Sequence, residues 1–72
     1  NPMTSAELCR ANGWVVGDVL EGKEYGVPTR ITLTAIGVEG VLAMCNEYEC
    51  SWTLLYRDWH KVEPSTKRGD GG

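Results

Sequence analysis

The chain has 72 residues, a formal net charge of −3, and 42% hydrophobic and 24% charged residues. A chain of this size holds one hydrophobic core, and its composition argues against a disordered or fibrous protein and, without an apolar run of roughly 20 residues, against a membrane-spanning one. The excess of 10 Asp and Glu over 7 Lys and Arg also disfavours nucleic acid as a partner, because phosphate binding depends mainly on basic side chains.

Composition divides the chain into three parts. Residues 1–3 are expected to be a cloning remnant followed by a native start at Met3, and they do not have the pattern of a secretion signal. Residues 4–63 form the predicted domain. Residues 64–72 begin with proline and contain three glycines, so this tail is predicted to be disordered.

A short helix is predicted near the start of the domain. Thr4 and Glu7 have the spacing of a capping box, in which each side chain accepts a hydrogen bond from the other residue's backbone N–H. The helix is predicted over residues 5–11, and the Asn-Gly pair that follows favours the left-handed conformation that ends helices. Because barely two turns are unstable alone, Leu8 and Cys9 are expected to pack against the rest of the domain.

After Trp14 the sequence changes to short β-type segments separated by turn residues about every 8 to 12 positions. The predicted strands cover residues 15–20, 29–36, 41–45, 50–55 and 59–62. These segments predict a mostly β fold, a small five-stranded SH3-like barrel with a short N-terminal helix and a disordered C-terminal tail. An OB-type barrel and a meander with a docked helix are the alternatives.

The residues also predict how the individual strands and loops are built. Residues 21–28 hold two glycines and a proline, and they predict an irregular loop between the first two strands. Ile31, Leu33 and Ala35 alternate with polar residues, which predicts one buried face. In the third and fourth strands, apolar residues occur at both odd and even positions, so both strands are expected to be central or covered on two faces. Residues 56–58 are expected to form a single 3₁₀ turn.

The cysteines are Cys9, Cys45 and Cys50. An odd number without a signal peptide favours reduced thiols in a cytoplasmic protein. Cys45 and Cys50 flank a predicted turn over residues 46–49, so a cross-strand disulfide is an alternative. A structural zinc site needs four ligands, and the three cysteines would have to converge with His60 to supply them. We therefore predict no metal site and no other cofactor.

The residues available for catalysis are few. His60 is the only histidine, and strand alternation is expected to turn it away from its chain neighbours. A pair of Cys50 and His60 is the minimum for thiol catalysis, but a surface histidine and a hairpin thiol is the favoured interpretation. Glu47 and Glu49 lie on the predicted turn, where they are expected to be solvated charges rather than a catalytic pair. The sequence therefore predicts a protein that is not an enzyme.

The six aromatic residues are all Trp or Tyr, with no Phe. Each ring carries a polar group, which suits positions half in a core and half at a binding surface. Trp14 and Trp52 are predicted core residues. Tyr25, Tyr56 and Trp59 are expected near the first loop and the short turn, where Glu21 and Glu24 favour a cationic partner. The predicted partner-binding residues are Tyr25, Tyr56, Trp59, Glu21 and Glu24.

Several motifs resemble those of small, mostly uncharacterised phage and prophage proteins with a single SH3-like domain. The motifs are Trp14-x-x-Gly17-Asp18-x-x-x-Gly22, Arg30-x-x-x-Thr34-Ala35-Ile36-Gly37 with Val41-Leu42-Ala43, and Ser51-Trp52-Thr53-Leu54 with Arg57-Asp58-Trp59-x-Lys61-Val62. The resemblance covers about residues 7 to 62. It implies an accessory protein of a phage or prophage that acts in the cytoplasm of a bacterial host, and it implies no reaction.

The sequence is best interpreted as a non-enzymatic protein-interaction module that binds an unidentified host or phage protein as a monomer or small homo-oligomer, away from any membrane. A nucleic-acid-binding domain that uses Arg30, Arg57, Lys61 and the Lys67-Arg68 pair is one alternative. An oligomer that binds a small molecule at a subunit interface is the other. A contiguous basic stripe would favour the first alternative, and an apolar pocket between subunits would favour the second.

Overall fold

The computed structural model describes residues 3–24, 26–55 and 58–62. The helix α1 spans Ser5–Asn12, and the strands are β1 Val19–Glu24, β2 Val27–Ile36, β3 Val41–Cys45, β4 Tyr48–Trp52 and β5 His60–Val62. All five strands pair antiparallel in one sheet with the spatial order β4-β3-β2-β1-β5. The predicted mostly β fold with five strands and a short N-terminal helix is confirmed.

Some predicted features fall outside the described residues. These are the disordered tail over residues 64–72 and two of the three positions of the predicted 3₁₀ turn. In the part of the chain that the structure describes, no helix is long and apolar enough to cross a membrane.

The two ends of α1 are set by local sequence. Thr4 Oγ1 accepts a hydrogen bond from the Glu7 N–H, and Glu7 Oε1 accepts one from the Thr4 N–H at 2.9 Å, so the predicted capping box is present. Gly13 has a φ of 74°, and its N–H donates to the Arg10 carbonyl at 3.2 Å. A left-handed glycine of this kind satisfies carbonyls that the helix itself leaves unpaired.

One face of α1 is buried against the sheet. The side chains of Ala6 and Cys9 are fully buried, as the docking of so short a helix requires. Ser5 is buried as well, and its Oγ accepts a hydrogen bond from the Leu54 N–H at 3.0 Å. Since Leu54 is also fully buried, this bond joins the start of the helix to the segment that leaves β4.

A second set of hydrogen bonds ties α1 to the loop between β2 and β3. The Ala6 N–H, which lacks a partner inside the helix, donates to the Glu39 carbonyl at 3.0 Å. The Arg10 guanidinium donates to the carbonyls of Gly37 and Val38 at 3.1 and 3.0 Å. Loop carbonyls that could not pair within the sheet are thereby satisfied by the helix.

The predicted irregular loop over residues 21–28 is wrong, because these residues form the β1–β2 hairpin. Glu24 pairs with Val27 across a two-residue turn, and Lys23 pairs with Pro28. In such a hairpin the residues next to the turn form the hydrogen-bonded pair, so the following pair does not exchange backbone bonds. Pro28 therefore occupies a ladder position at which no N–H is needed for β1.

The first strand also begins later than predicted. Residues 15–18 form a turn in which the Asp18 N–H donates to the Val15 carbonyl at 3.0 Å. Gly17 has a φ of 101°, as the third residue of a type II turn requires. The turn then meets β2, because the Gly17 N–H donates to the Leu33 carbonyl and the Leu33 N–H donates to the Asp18 carbonyl.

The prediction that Ala35 shares a buried face with Ile31 and Leu33 is wrong because β2 contains an irregularity between Leu33 and Ala35. Before it, buried Leu33 pairs with buried Ala43; after it, Ile36 pairs with buried Val41 and packs against the core. An extra residue of this kind reverses the face that later residues occupy. Ala35 therefore lies on the outer face of the sheet.

The β3–β4 hairpin has a tighter turn than predicted. Cys45 pairs with Tyr48, so the turn consists of two residues, and the first of them, Asn46, has a φ of 58°. Asn is one of the residues that accept this conformation in two-residue hairpins. The expectation that β4 is central or covered on both faces is wrong, since β4 lies at an edge of the sheet and four of its five residues are exposed.

The core lies between α1, the inner face of the sheet and the segment around Leu54. Its fully or largely buried hydrophobic residues are Ala6, Cys9, Trp14, Leu20, Ile31, Leu33, Val41, Ala43, Leu54 and Trp59. The predicted core position of Trp14 is confirmed, and Trp52 is partly buried against this cluster.

Replacing Ser5 tests the hydrogen bond between α1 and Leu54. Ser5→Ala leaves the buried Leu54 N–H without its acceptor, so the free energy of unfolding should fall by about 1–3 kcal/mol. Urea denaturation followed by tryptophan fluorescence measures this change. Ser51→Ala on the exposed edge strand is the control and should change stability by less than about 0.5 kcal/mol. Equal, small effects of the two substitutions would contradict the assigned role.

The buried Cys9 thiol makes the free energy of unfolding depend on pH in the alkaline range. Burial raises the pKa of this thiol above its ordinary value of 9.0, against the opposing charge of Arg10. As pH rises, the unfolded chain therefore loses this proton at a lower pH than the folded chain does. The thiol's contribution to the free energy of unfolding is complete below the pKa of the unfolded state, and it is lost as pH rises through the pKa of the folded state. The free energy of unfolding should fall more steeply above about pH 9 in the wild type than in Cys9→Ala. Equal falls in the free energy of unfolding of the two proteins above about pH 9, measured by urea denaturation, would contradict this assignment.

Candidate functional site

An open groove lies where β5 pairs with β1, next to the β1–β2 hairpin. It has a volume of about 520 Å³ and is lined by Glu21, Gly22, Lys23, Pro28, Asp58 and His60. We call it the β1–β5 groove. It combines two carboxylates, a lysine and an imidazole with a proline ring and a bare stretch of backbone.

The groove rests on the contact between Gly22 and Trp59. Gly22 is buried within β1, and a Cβ placed there would lie 2.8 Å from Trp59 Cε3 and 3.2 Å from the Asp58 carbonyl oxygen. Only glycine therefore permits this approach of the ring to the strand. The Trp59 ring also packs against Trp52 in a T-shaped arrangement, with the ring centroids 5.8 Å apart and the planes at 88°.

Both indole N–H groups of this aromatic pair are buried. Among the described residues, neither Trp52 Nε1 nor Trp59 Nε1 has a hydrogen-bond partner. A buried N–H without a partner costs free energy, so the geometric packing of the rings has to offset that cost. The pair is thus held by ring packing and by its fit to Gly22.

Glu21 is the charged centre of the groove. Its two carboxylate oxygens lie 3.4 Å from Arg30 Nε and 3.5 Å from His60 Nε2. The sheet register produces this arrangement, because Glu21 pairs with Arg30 on one side and with His60 on the other. Since both partners are largely exposed, solvent screens these pairs, and they contribute little to stability.

The predicted partner-binding residues have different positions. Glu21 lines the groove, whereas Trp59 is only 8% exposed and packs beneath it, so this ring supports the groove rather than forming an exposed surface. Glu24 ends β1, but its side chain lies outside the described part of the structure. Tyr25 and Tyr56 also lie outside the described residues.

Sequence reasoning missed five lining residues, namely Gly22, Lys23, Pro28, Asp58 and His60. The first three fall in the segment predicted to be an irregular loop. The other two come near Glu21 only through the pairing of β5 with β1, which joins segments about 40 positions apart. The available signal was Gly22, since a glycine inside a strand marks a close approach of another group.

The described geometry gives no support to thiol or metal chemistry. All three cysteines are free, and Cys45 pairs with Tyr48 whereas Cys50 pairs with Ala43, so the two thiols do not face each other. Cys50 and His60 lie on the two opposite edge strands. Within residues 3–24, 26–55 and 58–62, no three metal-binding side chains form a cluster.

Gly22→Ala should displace Trp59 and destabilise the protein. The new Cβ would overlap the ring, and overpacking of this kind costs about 1–3 kcal/mol. The loss should appear in urea denaturation together with a change in the near-ultraviolet circular dichroism of the tryptophans. Gly40→Ala is the control, because no atom lies within 4 Å of its added Cβ. A native tryptophan spectrum in Gly22→Ala would contradict the close contact.

Comparisons with known proteins give one result. A family model described as a domain of unknown function, DUF7241, matches residues 3–64. No curated protein and no solved structure is significantly similar to the chain. The resemblance to phage and prophage proteins stays a prediction. Because the match covers all the residues that the structure describes, the chain belongs to the DUF7241 family.

Proposed function

We propose that this domain is a non-enzymatic protein-interaction module whose β1–β5 groove binds a cationic segment of another protein. The observation that carries the proposal is the open groove of about 520 Å³ with two carboxylates on its walls. Following the resemblance of the motifs, we propose a host or phage protein in the bacterial cytoplasm as the partner.

Two carboxylates line the groove against one lysine, and this balance favours a lysine or arginine side chain over an anionic one. Asp58 is exposed and, among the described residues, makes no ion pair. Glu21 already has Arg30 and His60 beside it, so its carboxylate is oriented by the sheet before a partner arrives. A guanidinium or ammonium group between these two carboxylates would gain charge-assisted hydrogen bonds at little cost in reorganisation.

The apolar part of the groove suits the neighbouring residues of an extended segment. Pro28 presents a rigid ring, and Gly22 contributes backbone without a side chain to the lining. Tyr25 directly follows β1 in the chain and Tyr56 stands two positions before Asp58, so both remain proposed contributors. Tyrosine is enriched at protein interfaces because its ring and hydroxyl can both contact a partner.

Nucleic acid is less well supported as the partner. Of the basic residues proposed for it, Arg30 lies beside Glu21, and Lys61 Nζ lies 3.5 Å from Asp18 Oδ1. A cation that already faces a carboxylate releases fewer counterions when it meets a phosphate. The remaining candidates, Arg57 and the Lys67-Arg68 pair, lie outside the described residues.

The proposal is tested by selecting random peptides on the immobilised full chain. Selected peptides should contain Lys or Arg, and in two-dimensional NMR they should shift the amide signals of residues 21–23 and 60. Glu21→Gln and Asp58→Asn should each weaken these peptides about tenfold, a change of about 1.4 kcal/mol, with a smaller difference at high salt.

Glu39→Gln is the matched control, because it removes the same charge from an exposed residue of the β2–β3 loop. It should leave peptide affinity unchanged. Peptides that bind equally well to all four proteins, or that shift amides away from the groove, would contradict the proposed site. Selection of acidic peptides would contradict the proposed charge preference.

A further inference from the structure

Strand β4 leaves one edge of the sheet open. In the part of the chain that the structure describes, β3 is the only strand beside it, and no backbone hydrogen bond outside the ladders involves its residues. Cys45 and Tyr48 flank the two-residue turn and so form a hydrogen-bonded pair. Because such pairs alternate along an antiparallel ladder, the backbone N–H and C=O groups of Glu49 and Ser51 point outward.

The two edges of the sheet differ in how they are protected. Edge strands are usually blunted by shortness or by charged side chains, and β5 has both, with three residues that include His60 and Lys61. Strand β4 has five residues and one charged side chain, Glu49. That carboxylate accepts a hydrogen bond from Thr34 Oγ1 on β2, so it is held over the sheet and away from the open edge.

We propose that β4 pairs antiparallel with β4 of a second copy of this chain, about a two-fold axis through Cys50. In this register Glu49 faces Ser51 of the second copy, and the outward backbone groups of the two residues can exchange hydrogen bonds in both directions. Tyr48 faces Trp52 of the second copy, which is a favourable aromatic cross-strand pair. The two Cys50 residues face each other at the axis.

This register is preferred to its neighbours for reasons visible in the strand. Centring the pair on Glu49 would oppose two like charges, which is unfavourable. Centring it on Ser51 would leave Tyr48 without a partner strand and would pair only three residues of each β4. The Cys50 register pairs all five residues and places each Glu49 opposite a neutral residue. A second copy fits this edge because the strand is complementary to itself.

A seam of two short strands buries less area than a permanent dimer needs, so the dimer is weak and depends on protein concentration. Its surface is separate from the β1–β5 groove, since β4 and β5 lie at opposite edges of the sheet. Pairing through β4 would therefore give a complex with two grooves. Such a complex binds a repeated target more tightly than one copy does.

Charge substitution at Ser51 tests both the dimer and its register. The two-fold axis repeats the pair of residues 49 and 51. Ser51→Glu therefore places a negative charge opposite Glu49 at both positions, and Ser51→Lys places a positive charge there. In sedimentation experiments up to millimolar concentration at low salt, the dimer dissociation constant should rise with Glu and fall with Lys, by roughly two- to thirtyfold each. A monomeric wild type would overturn the proposal, and so would equal effects of the two substitutions.

Oxidation provides an independent readout of the two-fold axis. Residues facing each other at a position without ladder hydrogen bonds have Cα atoms about 4.5 Å apart, within the range that a disulfide spans. With diamide, two Cys50 thiols lose two electrons and two protons to form one disulfide, and diamide becomes the hydrazine. Wild type and Cys45→Ser should form the covalent dimer, and Cys50→Ser should not. Cross-linking through Cys45, or none at concentrations where sedimentation shows a dimer, would overturn the register.

Discussion

The contact of Trp59 with Gly22 determines where β5 pairs with β1. The ring lies so close to β1 that a single added carbon at Gly22 would meet it at 2.8 Å. This contact sets β5 beside β1, because His60 follows Trp59 directly and pairs with Glu21. The groove exists for the same reason, since two of its walls come from the two strands that this contact holds together.

The helix α1 is joined to the segment that leads to Trp59. Ser5 bonds to the backbone of Leu54, which lies in the segment between β4 and Trp59. That segment is therefore anchored at one end by α1 and at the other by the Gly22 contact. In a domain this small, each of these two contacts has a larger share of the stability than it would in a bigger domain.

The parts of the fold that could be predicted from the sequence are those fixed by neighbouring residues. The capping box at Thr4 and the glycine after the helix act within one turn of chain, and they were located correctly. The prediction of an irregular loop over residues 21–28 is wrong because glycine and proline usually interrupt strands. Here Gly22 and Pro28 occupy ladder positions that tolerate a missing side chain and a missing N–H. The groove could not be predicted for a related reason, since the proximity of His60 to Glu21 comes from pairing between distant segments.

The two edges of the sheet show how one small domain can separate two kinds of contact. At the β5 edge, charged side chains and a short strand disfavour backbone pairing, so the partner that we propose for the groove would be recognised through side chains. At the β4 edge, the carboxylate of Glu49 accepts a hydrogen bond from Thr34 and the backbone is accessible, so the pairing that we propose requires only another extended strand. Backbone hydrogen bonds depend little on which residues are paired. The register of the proposed strand pair is therefore set by the side chains on either side of Cys50.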